Sequence, residues 1–376
     1  MAFQHRRLPV TFGVGAGLLL AATLVGPAAA ADPTITVLAS GLDNPRGIAV
    51  GANGRVFVAE AGRGGPGGYG RSGRILVISH GIVRTFTGGL PSAISDEGEV
   101  TGPVGVDLRA DGNAVAVVGV GPQAVDRRFD SLLRLSPRRG RVVANIQAFR
   151  NTHPDTTDLD QPPNPTDSNA YGVAALNGAR TLVTDAGGND LLLVSARGRV
   201  TTVAKLPNAM ISTSHLPPFL GIPTDIVLPA EAVPTSVAVG PDGWWYVGEL
   251  KGFPFTPGAS RIWRIAPWAR NVVCDPAATS GPCTVFADGF TSIIGLEFGR
   301  DGSLYVLEMV KSSVLNLFLG TDDVGALWRL KDGTKTEIAA GQLHAPGGVA
   351  VGRDGAIYVT NWSVALGAGE VLRIAP

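Results

Sequence analysis

The sequence predicts an all-β protein that folds as a six-bladed β-propeller with four antiparallel strands in each blade. Three observations lead to this prediction: a strand-turn-strand unit occurs six times, two further strands accompany each copy, and no helical period of comparable strength is present. The sharpest copy of the unit is GLEFGRDGSLYVLE, residues 295–308. Four strands that recur every roughly 50–65 residues are typical of a propeller, in which each repeat forms one blade.

The first strand of each copy, called the inner strand below, opens with a small residue and ends at a two-residue turn. The inner strands begin at Gly47, Gly105, Gly172, Ser236, Gly295 and Gly348. The turns lie at Asn53-Gly54, Asp111-Gly112, Asn177-Gly178, Asp242-Gly243, Asp301-Gly302 and Asp354-Gly355. Asn-Gly and Asp-Gly pairs accept the positive φ angles of tight hairpins, so each turn predicts a second strand antiparallel to the first.

The remaining strands are rich in β-branched and aromatic residues. The second strands are RVFVAE, AVAVVG, TLVTD, WWYVGE, SLYVLE and AIYVTN, and the third strands include RIWRIA and ALWRLK. The first repeat begins with a lone fourth strand at 35–39, and the chain ends on a third strand at 371–375. We expect these two strands to pair, because pairing closes the ring and removes an exposed sheet edge.

Loop lengths differ between the two ends of the predicted blades. The loops between second and third strands are long, and they lie at residues 61–73, 121–130, 250–259 and 309–325. Two insertions before inner strands, 151–170 and 207–235, fall on the same side. We call this side the looped face and the side of the six short turns the plain face. Long loops on a rigid scaffold commonly carry binding sites, so we expect the looped face to bind a small molecule or an extracellular protein.

The N-terminal residues have the features of an export signal. Arg6 and Arg7 precede an uncharged apolar stretch at 10–25, and the alanines at 28–31 offer small residues for cleavage. The sequence therefore predicts a signal peptide at 1–31, a propeller domain at 32–376, and a secreted or otherwise extracytoplasmic protein with no membrane span after cleavage. A retained anchor is the alternative, but the apolar stretch is shorter than the ~20 residues that span a bilayer.

Charge and cysteine content restrict the function further. Lys and Arg together number 31, as do Asp and Glu, so no net charge attracts nucleic acid, and electrostatic recognition must be local. We expect a monomer. Cys274 and Cys283 flank the short segment DPAATSGP, which predicts a disulfide in an oxidising compartment, with two free thiols as the alternative.

Five of the six second strands end on an oxygen-bearing side chain, and we expect these ends to surround the channel mouth on the looped face. The residues are Glu60, Asp185, Glu249, Glu308 and Asn361. One interpretation is a ligand site, in which the carboxylates of Glu60, Asp185, Glu249 and Glu308 would bind a metal such as Ca²⁺. The other is a structural role, in which each side chain accepts hydrogen bonds from backbone amides. Recurrence in most blades favours the structural role, and both interpretations stay open.

Four further residues complete the predicted ligand-binding group. Arg46, Tyr171 and His344 stand at or just before inner strands at the same end of the blades. Trp362 follows Asn361 and is placed to stack on a ring-shaped ligand. The alternatives are a turn histidine without a special role and a tryptophan that packs between blades.

Two motifs carry weaker signals. The loop 185–190, DAGGND, concentrates oxygens but lacks the spacing of an EF-hand, so a plain hairpin loop is the alternative to calcium binding. Residues 62–67 match G-x-G-x-x-G, but a dinucleotide site needs a following helix, and Pro66 with further glycine argues against one. No nucleophile elbow of the type G-x-S-x-G is present, and we identify no catalytic residue.

The mature chain resembles the ScyD/ScyE family of exported propellers, which are related to NHL-repeat and TolB-like folds. The segments TVLASGLDNPRGIAVGANGRVFVAEAG and NWSVALGAGEVLRIAP carry the resemblance. It implies a propeller and export, and some members are associated with synthesis of the pigment scytonemin. No catalytic residues follow from it, so the leading expectation is a binding scaffold.

The strings PRGIAV and DGSLYVLE are also similar to soluble quinoprotein sugar dehydrogenases. That resemblance implies a PQQ pocket with a catalytic histidine, several arginines and Ca²⁺, whereas Arg46 is the only arginine at a blade start here. The enzyme alternatives are therefore a quinoprotein-type sugar dehydrogenase and a metal-dependent lactone hydrolase of the gluconolactonase type.

Overall fold

The structure, a computed structural model, describes residues 33–96, 98–137 and 139–375. Nearly all regular structure in it is β. The strands are β1 (Ile35–Leu42), β2 (Pro45–Val50), β3 (Val56–Glu60), β4 (Tyr69–Ser79), β5 (Ile82–Ile94), β6 (Val100–Thr101), β7 (Pro103–Leu108), β8 (Ala114–Val118), β9 (Ser131–Ser136), β10 (Arg139–Asn145), β11 (Ala170–Ala175), β12 (Thr181–Asp185), β13 (Asp190–Val194), β14 (Val200–Lys205), β15 (Ala209–Ser212), β16 (Val227–Ala230), β17 (Pro234–Val239), β18 (Trp245–Glu249), β19 (Ser260–Ile265), β20 (Val272–Val273), β21 (Cys283–Phe290), β22 (Ile293–Phe298), β23 (Leu304–Glu308), β24 (Ala326–Lys331), β25 (Thr334–Ile338), β26 (Gly348–Val351), β27 (Ile357–Asn361) and β28 (Gly369–Ile374).

Six antiparallel sheets follow one another around a ring, which confirms the predicted six-bladed propeller. Blade 1 contains β2, β3, β4 and β5, with β6 paired outside; blade 2 contains β7 to β10; and blade 3 contains β11 to β14, with β20 at its edge. Blade 4 contains β17, β18, β19 and β21, and blade 5 contains β22 to β25. In blade 6, β26, β27 and β28 are completed by β1, as predicted, with Ile35 opposite Ile374.

Each pair of neighbouring blades encloses its own hydrophobic layer. The described residues form six core clusters, and every cluster combines side chains of two adjacent blades. Most second strands are buried along their whole length because they are covered on both faces. The β-branched and aromatic content that predicted these strands therefore fills the interblade layers.

The small residue that opens each inner strand is required by crowding at the propeller axis. A Cβ on Gly47 would lie 2.9 Å from the Cα of Gly105, and a Cβ on Gly348 would lie 3.0 Å from the Cα of Gly47. A larger side chain would push the inner strands apart, so the recurring glycine permits close approach of neighbouring backbones.

Two short helices depart from the predicted all-strand pattern. Helix α1 (Ile146–Arg150) begins where the predicted fourth strand VVANIQ ends, because the side chain of Asn145 accepts a hydrogen bond from Ala148 N and caps the helix. Helix α2 (Val314–Phe318) lies in the loop 309–325.

The remaining insertions extend this pattern. Strands β15 and β16 form a separate hairpin within the insertion 207–235. No helix in the described part of the chain is long and apolar enough to cross a membrane. The predicted signal peptide at 1–31 lies outside the described residues.

Cys274 and Cys283 form a disulfide, as predicted. The bond closes the segment that follows β20, and β20 pairs in parallel with β14 at the outer edge of blade 3. The disulfide of blade 4 therefore fixes a strand that covers the edge of its neighbour.

Candidate functional site

Four of the five residues that end second strands accept a hydrogen bond from the loop that precedes their own blade. Each donor N–H lies 16 or 17 positions earlier in the chain. The bonds are Asp43 N to Glu60 Oε1 at 2.6 Å, Asn169 N to Asp185 Oδ1 at 2.8 Å, Thr291 N to Glu308 Oε1 at 2.8 Å and His344 N to Asn361 Oδ1 at 2.7 Å. These are the backbone bonds that the structural interpretation describes, and they fix the entry of each loop into the inner strand.

Further partners enclose two of these carboxylates. Glu60 is fully buried and pairs with Arg74 of the third strand of its blade. Glu249 accepts a hydrogen bond from Trp263 Nε1 and lies 2.7 Å from Lys251 Nζ, and all three side chains are buried. A buried charge is tolerated when it is paired, so these contacts account for both acids within the protein.

Asp185 is bound by a cation that the sequence did not reveal. Arg150, the last residue of α1, is 1% exposed, and its NH2 lies 2.9 Å from both Asp185 Oδ2 and Asp190 Oδ1. A Cβ on Gly188 would lie 1.9 to 2.4 Å from the guanidinium, so glycine in this loop makes room for the arginine. The loop 185–190, a candidate for calcium from its sequence, holds a guanidinium between its two acids.

The described residues contain no group of three or more His, Cys, Asp or Glu side chains that could hold a metal ion. A Ca²⁺ role for the four carboxylates stays a prediction. The contacts above give each of these carboxylates a protein partner of its own.

Arg46 and Tyr171 lie near each other on inner strands β2 and β11. Arg46 is buried, and its NH2 donates to Val100 O at 3.1 Å. Burial raises the pKa of the Tyr171 hydroxyl, and the Arg46 guanidinium opposes this rise. Tyr171 lines the central channel and also packs against the hydrophobic cluster between blades 5 and 6. The two residues therefore occupy the looped end of the channel.

His344, Asp323 and Trp362 form an accessible group on the looped face. His344 Nδ1 lies 2.9 Å from Asp323 Oδ1. The imidazole and indole rings are stacked, with centroids 4.5 Å apart and 1° between their planes. The side chains of His344 and Asp323 are 32% and 37% exposed. A carboxylate partner favours the proton on Nδ1, which leaves Nε2 able to accept a hydrogen bond from a ligand.

The backbone around this group is strained. Trp362 has a φ of 53°, in the left-handed region that bulky residues rarely adopt, and Ala345 has a φ of 37°. Trp362 N donates to His344 O at 2.8 Å, and Ser363 N donates to Ala345 O at 3.0 Å. Such backbone costs of order 1–3 kcal/mol per residue and clusters at functional sites, where neighbouring contacts hold it in place.

The axial channel contains two carboxyl groups that the sequence interpretation missed. The channel encloses about 260 Å³ and is lined by the six inner strands, with Asp107 and Glu297 on the opposite strands β7 and β22. Burial raises the pKa of Asp107 to about 6. Burial also raises the pKa of Glu297 to about 8, and the nearby charge of Asp107 adds to this rise.

A signal for these two acids was present in the repeat. The third residue of the inner strand is alanine in the other four blades, namely Ala49, Ala174, Ala238 and Ala350. An acid in place of a small apolar residue at an axis-lining position marks a polar channel. Ala175 N donates to Asp107 Oδ2 at 2.7 Å, so Asp107 also links blades 2 and 3.

No protein-family model matches the chain, and no curated protein sequence matches it. Its fold is similar to solved structures of sugar dehydrogenases. A glucose dehydrogenase from Thermus thermophilus shares 20% identity at a TM-score of 0.53, over 91% of this chain and 99% of that one. The soluble aldose sugar dehydrogenase of Escherichia coli, in its apo form, shares 14% identity at a TM-score of 0.53, over 92% and 99% of the two chains.

The PQQ-bound aldose sugar dehydrogenase of Streptomyces coelicolor shares 13% identity at a TM-score of 0.52, over 92% of this chain and 99% of that one. At these identities the similarity supports the six-bladed fold and assigns no activity.

Proposed function

We propose that this protein is an exported propeller of the ScyD/ScyE type that binds a small molecule at its looped face. The ligand class is a polar molecule with a ring, which stacks on Trp362 and donates a hydrogen bond to His344. The signal-like residues 1–31 and the Cys274–Cys283 disulfide support an extracytoplasmic location, because disulfides persist in oxidising compartments. We propose that it acts as a monomer.

The accessible stack of His344 on Trp362 is the observation that carries this proposal. Glu60, Asp185 and Glu249 are fully buried and engaged by protein partners, so they are poorly placed to meet a ligand. The imidazole and indole instead combine solvent access with an ordered, strained backbone. Aromatic faces and a few placed polar groups are the usual components of small-molecule sites.

The residues of the looped face do not fit PQQ. The cofactor carries carboxylates that require converging cations. Arg46 is buried against Val100 O, Lys251 pairs with buried Glu249, and Lys311 pairs with Glu337 at 2.8 Å. Within the described residues these cations are engaged by the protein, so we derive no step through this cofactor.

Lactone hydrolysis is the second candidate, and the His344–Asp323 pair favours it. An imidazole oriented by a carboxylate can take a proton from an attacking water molecule. The 32% exposure of His344 would admit that water.

A ligand-observed NMR screen tests the binding proposal. The probes are mixtures of monosaccharides, sugar lactones, nucleosides and hydroxylated aromatic acids. We expect at least one probe to show saturation transfer, and Trp362→Ala and His344→Ala each to weaken its binding by about tenfold, roughly the loss of one stacking or hydrogen-bonding contact. Trp268→Ala is the matched control, because Trp268 is exposed but lies on the plain face.

Two results would contradict the binding proposal. One is the absence of any bound probe. The other is binding that survives Trp362→Ala unchanged. Release of acid from D-glucono-1,5-lactone, followed at constant pH, that disappears in Asp323→Asn would replace the binding proposal with the hydrolase.

A further inference from the structure

Three blades share an ionic group on the plain face, built from the aspartate of the hairpin turn, a second-strand tyrosine and a third-strand arginine. In blade 4, Arg264 NH2 lies 2.8 Å from Asp242 Oδ2, and the Tyr246 hydroxyl donates to the same oxygen at 3.0 Å. The corresponding ion pairs are Arg329–Asp301 at 2.7 Å in blade 5 and Arg373–Asp354 at 2.8 Å in blade 6. In these blades the third-strand cation is therefore neutralised locally.

Two further positions belong to this arrangement. The residue two before the aspartate is glycine, because a Cβ there would lie 2.5 to 3.1 Å from the tyrosine ring; these glycines are Gly240, Gly299 and Gly352. The outer-strand residue opposite the arginine is threonine in all three blades, namely Thr284, Thr336 and Thr36.

Blade 2 keeps the turn aspartate and the arginine but changes the other three positions. Arg109 stands where the other blades have glycine, and Val115 stands where they have tyrosine. Arg141 replaces the outer-strand threonine and lies directly opposite Arg134. Like charges directly opposite in a sheet are destabilising, so this row of arginines costs free energy in the isolated protein.

None of Arg109, Arg134 and Arg141 forms an ion pair within the described residues. Arg109 is 9% exposed, and its NH2 has one long hydrogen bond, 3.4 Å, to Thr181 Oγ1. Its Nε has no partner among the described residues. Burial lowers the pKa of Arg109, and the charge of Arg134 lowers it further. A buried guanidinium without an anion is costly unless something supplies the negative charge.

We propose that the plain face of blade 2 binds an anionic group between Arg109, Arg134 and Arg141. The shared chemistry is that of phosphate, sulfate or carboxylate, for which guanidinium groups are the preferred partners. Such a group takes the place of the aspartate oxygen that neutralises the arginine in blades 4, 5 and 6. This site is independent of the looped face and of the ligand proposed there.

Thermal unfolding with inorganic phosphate, sulfate or acetate, against chloride at the same ionic strength, tests the site. Phosphate and sulfate also stabilise proteins by exclusion from the surface, so the specific part must be separated from this general part. The double variant Arg134→Gln and Arg141→Gln should lose the specific part. The matched control is Arg300→Gln with Arg353→Gln, which removes the same charge from the plain face of blades 5 and 6.

We expect the melting temperature of the wild type and the control to rise by about 1–3 °C more than that of the double variant. The anion with the largest difference identifies the preferred group. Equal shifts in all three proteins for every anion would overturn the site.

A second variant rebuilds the arrangement of blade 4. Arg109→Gly with Val115→Tyr restores the glycine and tyrosine positions, so that Arg134 can pair with Asp111. This variant should fold, as judged by circular dichroism, and should lose the specific anion effect. Retention of the full effect would contradict the role of Arg109.

Discussion

Asp130 is a buried carboxyl beside two other acids. It is 1% exposed, and its Oδ1 has no hydrogen-bond partner among the described residues. Burial raises the pKa of Asp130 to about 8, and the charges of Asp185 and Asp167 raise it further. The folded protein therefore keeps a proton on Asp130 that the unfolded chain loses near the ordinary pKa of about 4.

This difference predicts that Asp130→Asn increases stability at alkaline pH. The stability that the proton confers is fully present below about pH 4 and is lost as pH rises to about 8, because only the unfolded state gains from ionisation in that range. The asparagine variant cannot ionise, so its free energy of unfolding should fall less between about pH 5 and about pH 9. Asparagine also tolerates the left-handed backbone found here, where φ is 47°.

Urea unfolding at several pH values measures this effect. Asp225→Asn is the control, because Asp225 is exposed and should leave the slope unchanged. Parallel pH profiles for the wild type and Asp130→Asn would contradict the assignment of a buried proton to Asp130.

The strand β20 connects two blades through a covalent loop. Asn271 N donates to Thr202 O at 3.0 Å, and Cys274 N donates to Lys205 O at 3.0 Å, so the segment pairs with the outer edge of blade 3. Cys274 and Cys283 are both buried in the hydrophobic layer between blades 3 and 4. The disulfide therefore stabilises an interblade contact as well as a short loop.

Replacement of both cysteines by serine should lower the free energy of unfolding by about 2–3 kcal/mol, the entropy of closing so short a loop. Hydrogen exchange should accelerate at Asn271 and Cys274, whose amides hold β20 to blade 3. Thermal unfolding and exchange mass spectrometry measure the two effects. The second strands of blades 1 and 6 serve as an internal reference, and unchanged exchange at β20 would show that the disulfide does not hold it.

Closure of the ring depends on the pairing of β1 with β28. Ile35, Ala39 and Leu42 of β1 contribute to the hydrophobic layers of blade 6. Without β1, β28 would become an exposed edge with unpaired backbone groups, which favours association with other chains.

A chain that begins at residue 43 should therefore melt at a lower temperature and associate. The control begins at residue 33 and keeps β1 intact. Size-exclusion chromatography and thermal unfolding compare the two chains. A monomeric short chain with the melting temperature of the control would show that closure contributes nothing measurable.

The strand order, the six turns, the closure and the disulfide could be predicted from the sequence. Alternation, Asn-Gly and Asp-Gly turns and glycine at the axis are local requirements of each blade, and six copies reinforce one another. The end of β10 at Asn145 was not predicted, because the side chain of one capping residue outweighs a strand-like pattern.

The candidate site was predictable only in part. The sequence identified His344 and Trp362 but could not show that they stack, because residues 344 and 362 meet only when β26 and β27 pair and the backbone at Trp362 turns left-handed. It aligned the acids at the strand ends but not Arg150, whose charge reaches Asp185 from a helix 35 positions earlier.

By itself, then, the sequence determined a propeller, because its repeats encode short-range strand and turn preferences. Only the tertiary structure decided which polar side chains are engaged by the protein and which face solvent. Burial, ion pairing and pKa depend on groups brought together from distant parts of the chain, and no single repeat contains that information.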